Sequence, residues 1–202
     1  MRGEDLLGTD RGDGVHVAGR RRQGPGGGEE FKHLGWSLEI NRGEEGAKFK
    51  LDETMGSAAL LLGRVTYEGF AEAWPQRDGE FADKFNTMPK YVVSSTIDGS
   101  AWTNTTVLDG DVPEAVRKLR DEVDGDIVVH GSGRLVQTLV ENDLVDRFHL
   151  MVFPVVLGAG RRLFGETSAK KPLKLVSSET VGDGVTIAVY EPKSPGDTSP
   201  AS

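Results

Sequence analysis

Two short apolar runs, each broken by glycine and followed at once by helix-forming residues, constrain this chain more than any other feature. The first is Leu60-Leu61-Leu62-Gly63-Arg64-Val65-Thr66-Tyr67-Glu68 and the second is Asp126-Ile127-Val128-Val129-His130-Gly131-Ser132-Gly133-Arg134-Leu135. A strand that passes through glycine into a helix leaves main-chain N–H groups without partners at the helix N-terminus, where the helix dipole also favours negative charge. Two such junctions are suited to the two ends of a dinucleotide. The arginines and hydroxyls beside the glycines are the donors that phosphate oxygens take.

Bulk properties narrow the classes. With 202 residues, 37% of them hydrophobic and 28% charged, the chain suits one globular domain with a substantial core. The absence of cysteine excludes disulfide frameworks, thiolate zinc sites and cysteine nucleophiles. No apolar run is long enough to span a bilayer, and the N-terminus has no apolar core of the kind a secretory signal needs, so a cytoplasmic protein without a membrane partner is expected. A formal charge of −8 argues against nucleic acid as a partner, since phosphate contacts need a basic face and Arg20-Arg21-Arg22 is the only basic cluster.

Met1 to Glu30 is rich in Gly, Arg, Asp and Glu without strand or helix periodicity, which predicts a disordered or loop-like segment, and Ser194 to Ser202 reads the same way. Between them apolar runs alternate with amphipathic stretches, the pattern of an α/β domain. Glu44 to Ser57 reads as a helix with Phe49, Leu51 and Met55 as core residues, followed by a strand from Ala58 to Leu62. Val65 to Ala73 and Glu80 to Asn86 read as helices, Lys90 to Thr96 as a strand ending in three hydroxyls, and Thr106 to Leu108 as a brief strand. Pro113 at an early position marks a helix from Asp111 or Val112 to about Val123. Asp126 to Val129 has the β-branched run of a buried parallel strand, Arg134 to Asn142 reads as a helix, and Arg147 to Phe153 as a strand closed by Pro154. Leu173 to Thr180 and Val185 to Tyr190, split by Gly182-Asp183-Gly184, predict a terminal antiparallel hairpin on a mixed sheet.

Leu62-Gly63-Arg64-Val65-Thr66-Tyr67-Glu68, Pro89-Lys90-Tyr91-Val92-Val93-Ser94, His130-Gly131-Ser132-Gly133 and the run from Pro154 through Gly160 to Phe164 stand in an order that resembles the dihydrofolate reductase-like family, in particular the C-terminal reductase domain of bacterial riboflavin biosynthesis. The similarity runs from about Gly26 to Pro192, which implies a reductase domain over 25–193 between an atypical segment 1–24 and a tail 194–202. It implies a three-layer α/β fold, a central mixed sheet with a C-terminal antiparallel hairpin and flanking helices, and NADPH as cofactor. It places Gly63, Arg64 and Thr66 against the cofactor phosphates and Ser94, Ser95 and Thr96 near the adenosine 2′-phosphate. It places His130, Gly131, Ser132, Gly133 and Leu135 around the pyrophosphate. The loop from Pro154 through Gly158 to Gly160, with Trp36 after the glycine-rich entry, falls on the nicotinamide and substrate side. The family often forms homodimers, and the apolar strand Phe148 to Phe153 is the segment expected to contribute.

Family members usually open with an apolar strand followed by an Asp-Gly turn, next to the active site. Met1 to Gly24 offers no such strand, although Asp13-Gly14-Val15 is similar to the turn and Pro25 to Glu29 fits the stretch that succeeds it in the family. The expectation is an N-terminal segment altered relative to the family, by a different start or a local change of reading frame, and a central sheet one strand short.

In a nicotinamide reductase the cofactor supplies hydride and the protein supplies orientation, a dry pocket and a proton donor. The expected acceptor is a C=N or C=O carbon of a small pteridine, pyrimidine or related metabolite. Asp52 and Glu53 lie on the helix where dihydrofolate reductases place an acid, yet charges on a helix are more often solvated, and that is the reading preferred for both. Arg161-Arg162 reads as exposed, and Trp74 and Trp102 serve packing as readily as a pocket wall. His16, His33, His130 and His149 show no ligand spacing, so no metal is expected. Two function classes remain: an NADPH-dependent reductase, or a nucleotide-binding or dimer-forming module of the same fold without catalysis.

Overall fold

The computed structural model describes residues 15–19, 35–99, 101–158, 160 and 162–193. In chain order the elements are β1 Val15–Gly19, α1 Gly43–Gly56, β2 Ala59–Gly63, α2 Arg64–Ala73, α3 Glu80–Thr87, β3 Lys90–Val93, β4 Thr105–Leu108, α4 Val112–Glu122, β5 Ile127–His130, α5 Gly133–Glu141, β6 Arg147–Val152, β7 Leu173–Val181 and β8 Val185–Pro192. A single 3-10 turn, Trp36–Leu38, precedes α1. One eight-stranded sheet runs β4-β3-β2-β5-β1-β6-β8-β7. The strands from β4 to β6 are mutually parallel, and the β7–β8 hairpin is added antiparallel to β6.

The centre of the sheet overturns one expectation from the sequence. Val15–Gly19 is a strand, parallel to β5 on one side (Val15 opposite Ile127, Ala18 opposite His130) and to β6 on the other (Ala18 opposite His149). The short Val15-His16-Val17-Ala18 run is concealed by the glycine and charge around it, and its strand form comes from long-range pairing: it satisfies main-chain groups along the facing edges of β5 and β6. The loop-like reading of 1–14 and 20–30, and that of the tail 194–202, lie outside the described residues.

Both glycine-terminated runs form central strands because every side chain on them is buried. Leu60, Leu61 and Leu62 are fully enclosed, as are Ile127, Val128 and Val129, and each such side chain contributes about 1.5–3 kcal/mol on leaving water. One face of the sheet is covered by α4 and α5. The Asp111 carboxylate caps α4 by accepting the Glu114 N–H at 2.8 Å, and Val116 and Leu119 point inward. On α5 the buried stripe is Leu135, Val136, Leu139 and Val140. The other face carries Tyr67 of α2, Phe85 of α3 and Trp102 over Leu60, Leu62, Val92 and Val128. A third apolar cluster joins Trp36 to Met151, Phe153, Val181, Val185 and Ile187.

Helix α1 departs from its expected packing. Its buried positions are Gly46, Lys50 and Thr54. Of the three residues expected in the core, Met55 is 38% exposed, Leu51 is half-buried, and Phe49 packs partly against the third cluster. The start of α1 is held by the β7–β8 turn: Asp183 N–H donates to Asn41 O at 2.7 Å and Asn41 N–H to Asp183 Oδ2 at 3.1 Å. Gly182 has φ +50°, and a Cβ there would lie 2.2 Å from Asn41 O, so only glycine fits. Other boundaries shift slightly. The strand expected to reach Thr96 ends at Val93, and the one expected to reach Phe153 ends at Val152. Along that last strand Phe148 and Met151 are buried, as is Phe153 just beyond it. Only Val152, 58% exposed, offers a large apolar surface for another subunit.

Candidate functional site

The glycine turns end adjacent parallel strands, β2 and β5, at the same edge of the sheet. They are joined directly. Gly63 N–H donates to Ser132 Oγ at 2.9 Å, and Ser132 N–H donates to Thr66 Oγ1 at 3.1 Å. Ser132 Oγ in turn donates to His130 O at 3.2 Å. Gly131 and Ser132 both have positive φ, +64° and +51°, which turns the chain sharply into α5. A Cβ on Gly133 would meet nothing within 4 Å, so the first turn of α5 faces open space. Main-chain N–H groups at such a helix start are what an anionic oxygen accepts from.

The remaining expected residues divide. Arg64 Nη1 donates to both carboxylate oxygens of Glu68 on α2, at 3.0 and 3.1 Å, so part of its guanidinium is taken up by that carboxylate. Ser94, Ser95 and Thr96 form a turn beyond β3 in which Thr96 N–H donates to Ser94 Oγ at 3.1 Å. Thr96 lines an open cleft of about 480 Å³ with Tyr67, Glu68, Ile97, Asp98 and Gly99. Leu135 is buried in the α5 core. Trp36 is buried edge-on against Phe153, with ring centroids 5.2 Å apart. Pro154 and Gly158 lie on the exposed loop after β6, whose carboxyl end is at the same edge of the sheet as the glycine turns. Arg162 is exposed.

The two acidic candidates part company. Asp52 is exposed and pairs with Lys48 at 2.5 Å, as expected of a solvated helix charge. Glu53 is the opposite, and the solvated reading fails for it: its side chain is 3% exposed, with one carboxylate oxygen bonded to Lys50 Nζ and the other 2.8 Å from His149 Nδ1. Burial by itself pushes the Glu53 carboxyl up. The bond to His149 and the positive charges of Lys50 and His130 outweigh it and hold the group down at about 2. An ionised carboxylate only accepts, so the proton in the Glu53–His149 bond sits on Nδ1.

His149 belongs to β6 and His130 to the end of β5, and both stand opposite Ala18 of β1. Two strand spacings separate them, about 10 Å. The strand that the sequence conceals thus sets the row in which the two histidines stand. Lys50, Glu53 and His149 were not read from the sequence as one group. The signal was present as a stripe of small and polar residues at helical spacing, Gly46, Lys50, Glu53, Thr54 and Ser57, where an amphipathic helix should carry apolar ones. Among the described residues no group of three or more His, Asp or Glu is arranged to hold a metal ion, and no helix is long and apolar enough to cross a membrane.

Residues 26–187 match the family model described as the RibD C-terminal domain. Two proteins of Bacillus subtilis (strain 168) are similar in sequence. The uncharacterized protein YyaP is 32% identical over 140 residues, spanning 65% of this chain and 72% of that protein. The uncharacterized protein YwjB is 27% identical over 128 residues, spanning 63% and 70%. Among solved structures, a putative riboflavin biosynthesis protein from Shewanella sp. PV-4 superposes with a TM-score of 0.67 at 21% identity, covering 89% of this chain and 98% of that one. Dihydrofolate reductase from Enterococcus faecalis, complexed with NADP(H) and RAB-propyl, superposes with a TM-score of 0.59 at 17% identity, covering 90% and 98%. A pyrimidine reductase-like protein from Corynebacterium diphtheriae gives a TM-score of 0.60 at 11% identity, covering 90% and 92%. The expected fold, a dihydrofolate reductase-like mixed sheet with flanking helices and a terminal hairpin, is the fold present.

Proposed function

The chain belongs to the RibD C-terminal domain family, and from that premise we propose that it is an NADPH-dependent reductase acting on a C=N or C=O group of a small pteridine- or pyrimidine-type metabolite. Residues 25–193 form the reductase domain in this reading. The observation that carries it is the junction of the two glycine turns, where Gly63, Thr66 and Ser132 are hydrogen-bonded to one another beside the open start of α5. The open helix start held in place by that junction fits a dinucleotide. The main-chain N–H groups of Gly131 and Gly133 would hold the pyrophosphate, joined by the Ser132 N–H once it leaves Thr66 Oγ1, with Arg64 as a further phosphate partner. Ser94, Ser95 and Thr96 would receive the 2′-phosphate, and the loop through Pro154 and Gly158 would border the nicotinamide. When bound, NADPH supplies the hydride. The chain supplies orientation at the edge of the sheet and a dry floor of Leu62 and Val128 beneath the turns.

The reading as a module without catalysis drew its support from a missing central strand, and β1 fills that place. Fluorescence titration with NADPH and with NADH, followed by NADPH-oxidation assays on dihydropteridines and ribosylaminopyrimidines, tests the proposal. Saturable NADPH binding with turnover of one acceptor is expected. Binding without turnover supports the non-catalytic module, absence of binding sinks the cofactor assignment, and equal affinity for NADH counts against the 2′-phosphate site. A cytoplasmic homodimer completes the reading, with sedimentation velocity as its check on assembly.

A further inference from the structure

Three observations converge on the buried end of α1. Both oxygens of the Glu53 carboxylate are committed, one to Lys50 Nζ and one to His149 Nδ1. A carboxylate so enclosed cannot receive a substrate without breaking an internal ion pair. Within this group the imidazole is the member that reaches the surface: the His149 side chain is 14% exposed, against 3% for Glu53 and 6% for Lys50. The ring is also held from the side by Phe49, whose centroid is 5.4 Å away. Finally, His149 stands in the same row as His130, the last residue before the second glycine turn, about 10 Å across β1. That places the imidazole two strands from the second glycine turn.

Resting on the reductase reading above, we propose that His149 is the proton donor of the reaction and that Glu53 is its positioning residue, with Lys50 keeping the Glu53 carboxylate in place. As hydride adds to the carbon of the acceptor C=N or C=O bond, the π pair of that bond moves onto nitrogen or oxygen. That atom takes the proton from His149 Nε2. The imidazole is left neutral with its Nδ1–H still donated to Glu53, and solvent returns the proton to Nε2. The dihydronicotinamide is oxidised, the acceptor is reduced, and one hydride and one proton account for the two hydrogens gained. The fixed Nδ1–H···carboxylate bond selects the tautomer that presents Nε2 to the substrate. Among the described residues, the titratable groups on the His149 side are Glu53 and Lys50 from α1 and His130 from β5. On the β8 side its register neighbour is Val189, which does not titrate.

The test combines kinetics with ¹⁵N NMR of the histidine rings in the full-length protein. His149→Asn is expected to bind NADPH with wild-type affinity and to lose about 100-fold or more in kcat with little change in KM, the range typical of a lost general acid. Its pH–rate profile should lack the limb on which the donor is deprotonated. Glu53→Gln should retain that limb but move it, and should remove the strongly deshielded Nδ1–H resonance of His149. In the NADP⁺-loaded protein, each dihydropteridine or ribosylaminopyrimidine that binds should shift the His149 Nε2 resonance while Nδ1 stays bonded. An acceptor that binds without moving that resonance overturns the proposal, as does a His149→Asn variant with unchanged kcat. Failure of wild-type protein to bind NADPH or any acceptor overturns the reductase reading itself, which separates the two failures.

Discussion

Lys50 and Lys90 are both buried, 5% and 0% exposed, and they are held in opposite ways. Lys90 donates to main-chain carbonyls, Met88 O at 2.7 Å and Asn86 O at 3.1 Å, and lies 4.5 Å from the centroid of the Trp102 ring. It closes the end of α3, where helix carbonyls need donors and favour a cation. Lys50 pairs with a side chain, Glu53, which in turn fixes His149 on another element. Carbonyl oxygens neither titrate nor move apart from the chain, so Lys90 serves the fold. Carboxylate and imidazole do both, so the Lys50 group has the properties of a site. The same contrast separates the inward faces of two helices: Leu135, Val136, Leu139 and Val140 on α5, against Gly46, Lys50 and Thr54 on α1.

The largest expected effect breaks the comparison on the α1 side alone. Gly182→Ala brings a Cβ within 2.2 Å of Asn41 O at positive φ, and a loss of about 4 kcal/mol is expected from steric conflict and backbone strain together. Chemical denaturation checks the loss, and NMR of the surviving folded fraction should show the His149 ring disturbed while the Lys90 surroundings remain. Next is Lys90→Ala, which leaves the Asn86 and Met88 carbonyls short of a buried donor and opens a void under Trp102. A cost of about 3 kcal/mol is expected, read by calorimetry as a fall of roughly 10 °C in Tm. NADPH affinity should be unchanged below the transition.

pH separates the two groups by sign. The Glu53 carboxyl titrates lower in the folded chain, about 2 against 4.5. Its stabilisation is therefore complete above pH 4.5 and is lost as the pH falls toward 2, on the order of 3 kcal/mol in all. Burial lowers Lys90 from 10.5 to about 8. The unfolded chain then holds the extra proton between those values, so stability rises with pH from about 8 to 10.5. Denaturation midpoints for wild type, Glu53→Gln and Lys90→Met across both windows check the assignment. Each variant should flatten its own window and leave the other. The smallest stability effect sharpens the comparison further: replacing Lys50 by Met and Glu53 by Leu together removes a buried pair without leaving either charge alone, at the cost of the acceptor for His149 Nδ1–H. Stability should stay within about 1–2 kcal/mol of wild type, while acceptor reduction is lost.

The glycine turns were legible because steric demand and burial coincide in them. A run such as Ile127-Val128-Val129 followed by Gly131 admits few structures, and β2 and β5 end within a residue of their expected limits. The strand β1 was not legible: it lies before residue 26, where the family match begins, and its form depends on pairing with two strands more than 100 positions away. The Glu53 site was hidden for a different reason. Sequence preference treats a helical glutamate as solvated, and only the placement of β6 beside α1 supplies the His149 partner that makes burial tolerable. The same override left Met55 exposed while Lys50 turned inward.

The claim that the two turns form one cofactor site is tested most directly by an amide NMR titration of the full-length protein with NADP⁺. The resonances of Gly63, Thr66, Ser132 and Gly133 are predicted to shift together along a single binding curve, with Asp52 unmoved. Shifts confined to one turn, or none at saturating NADP⁺, contradict it.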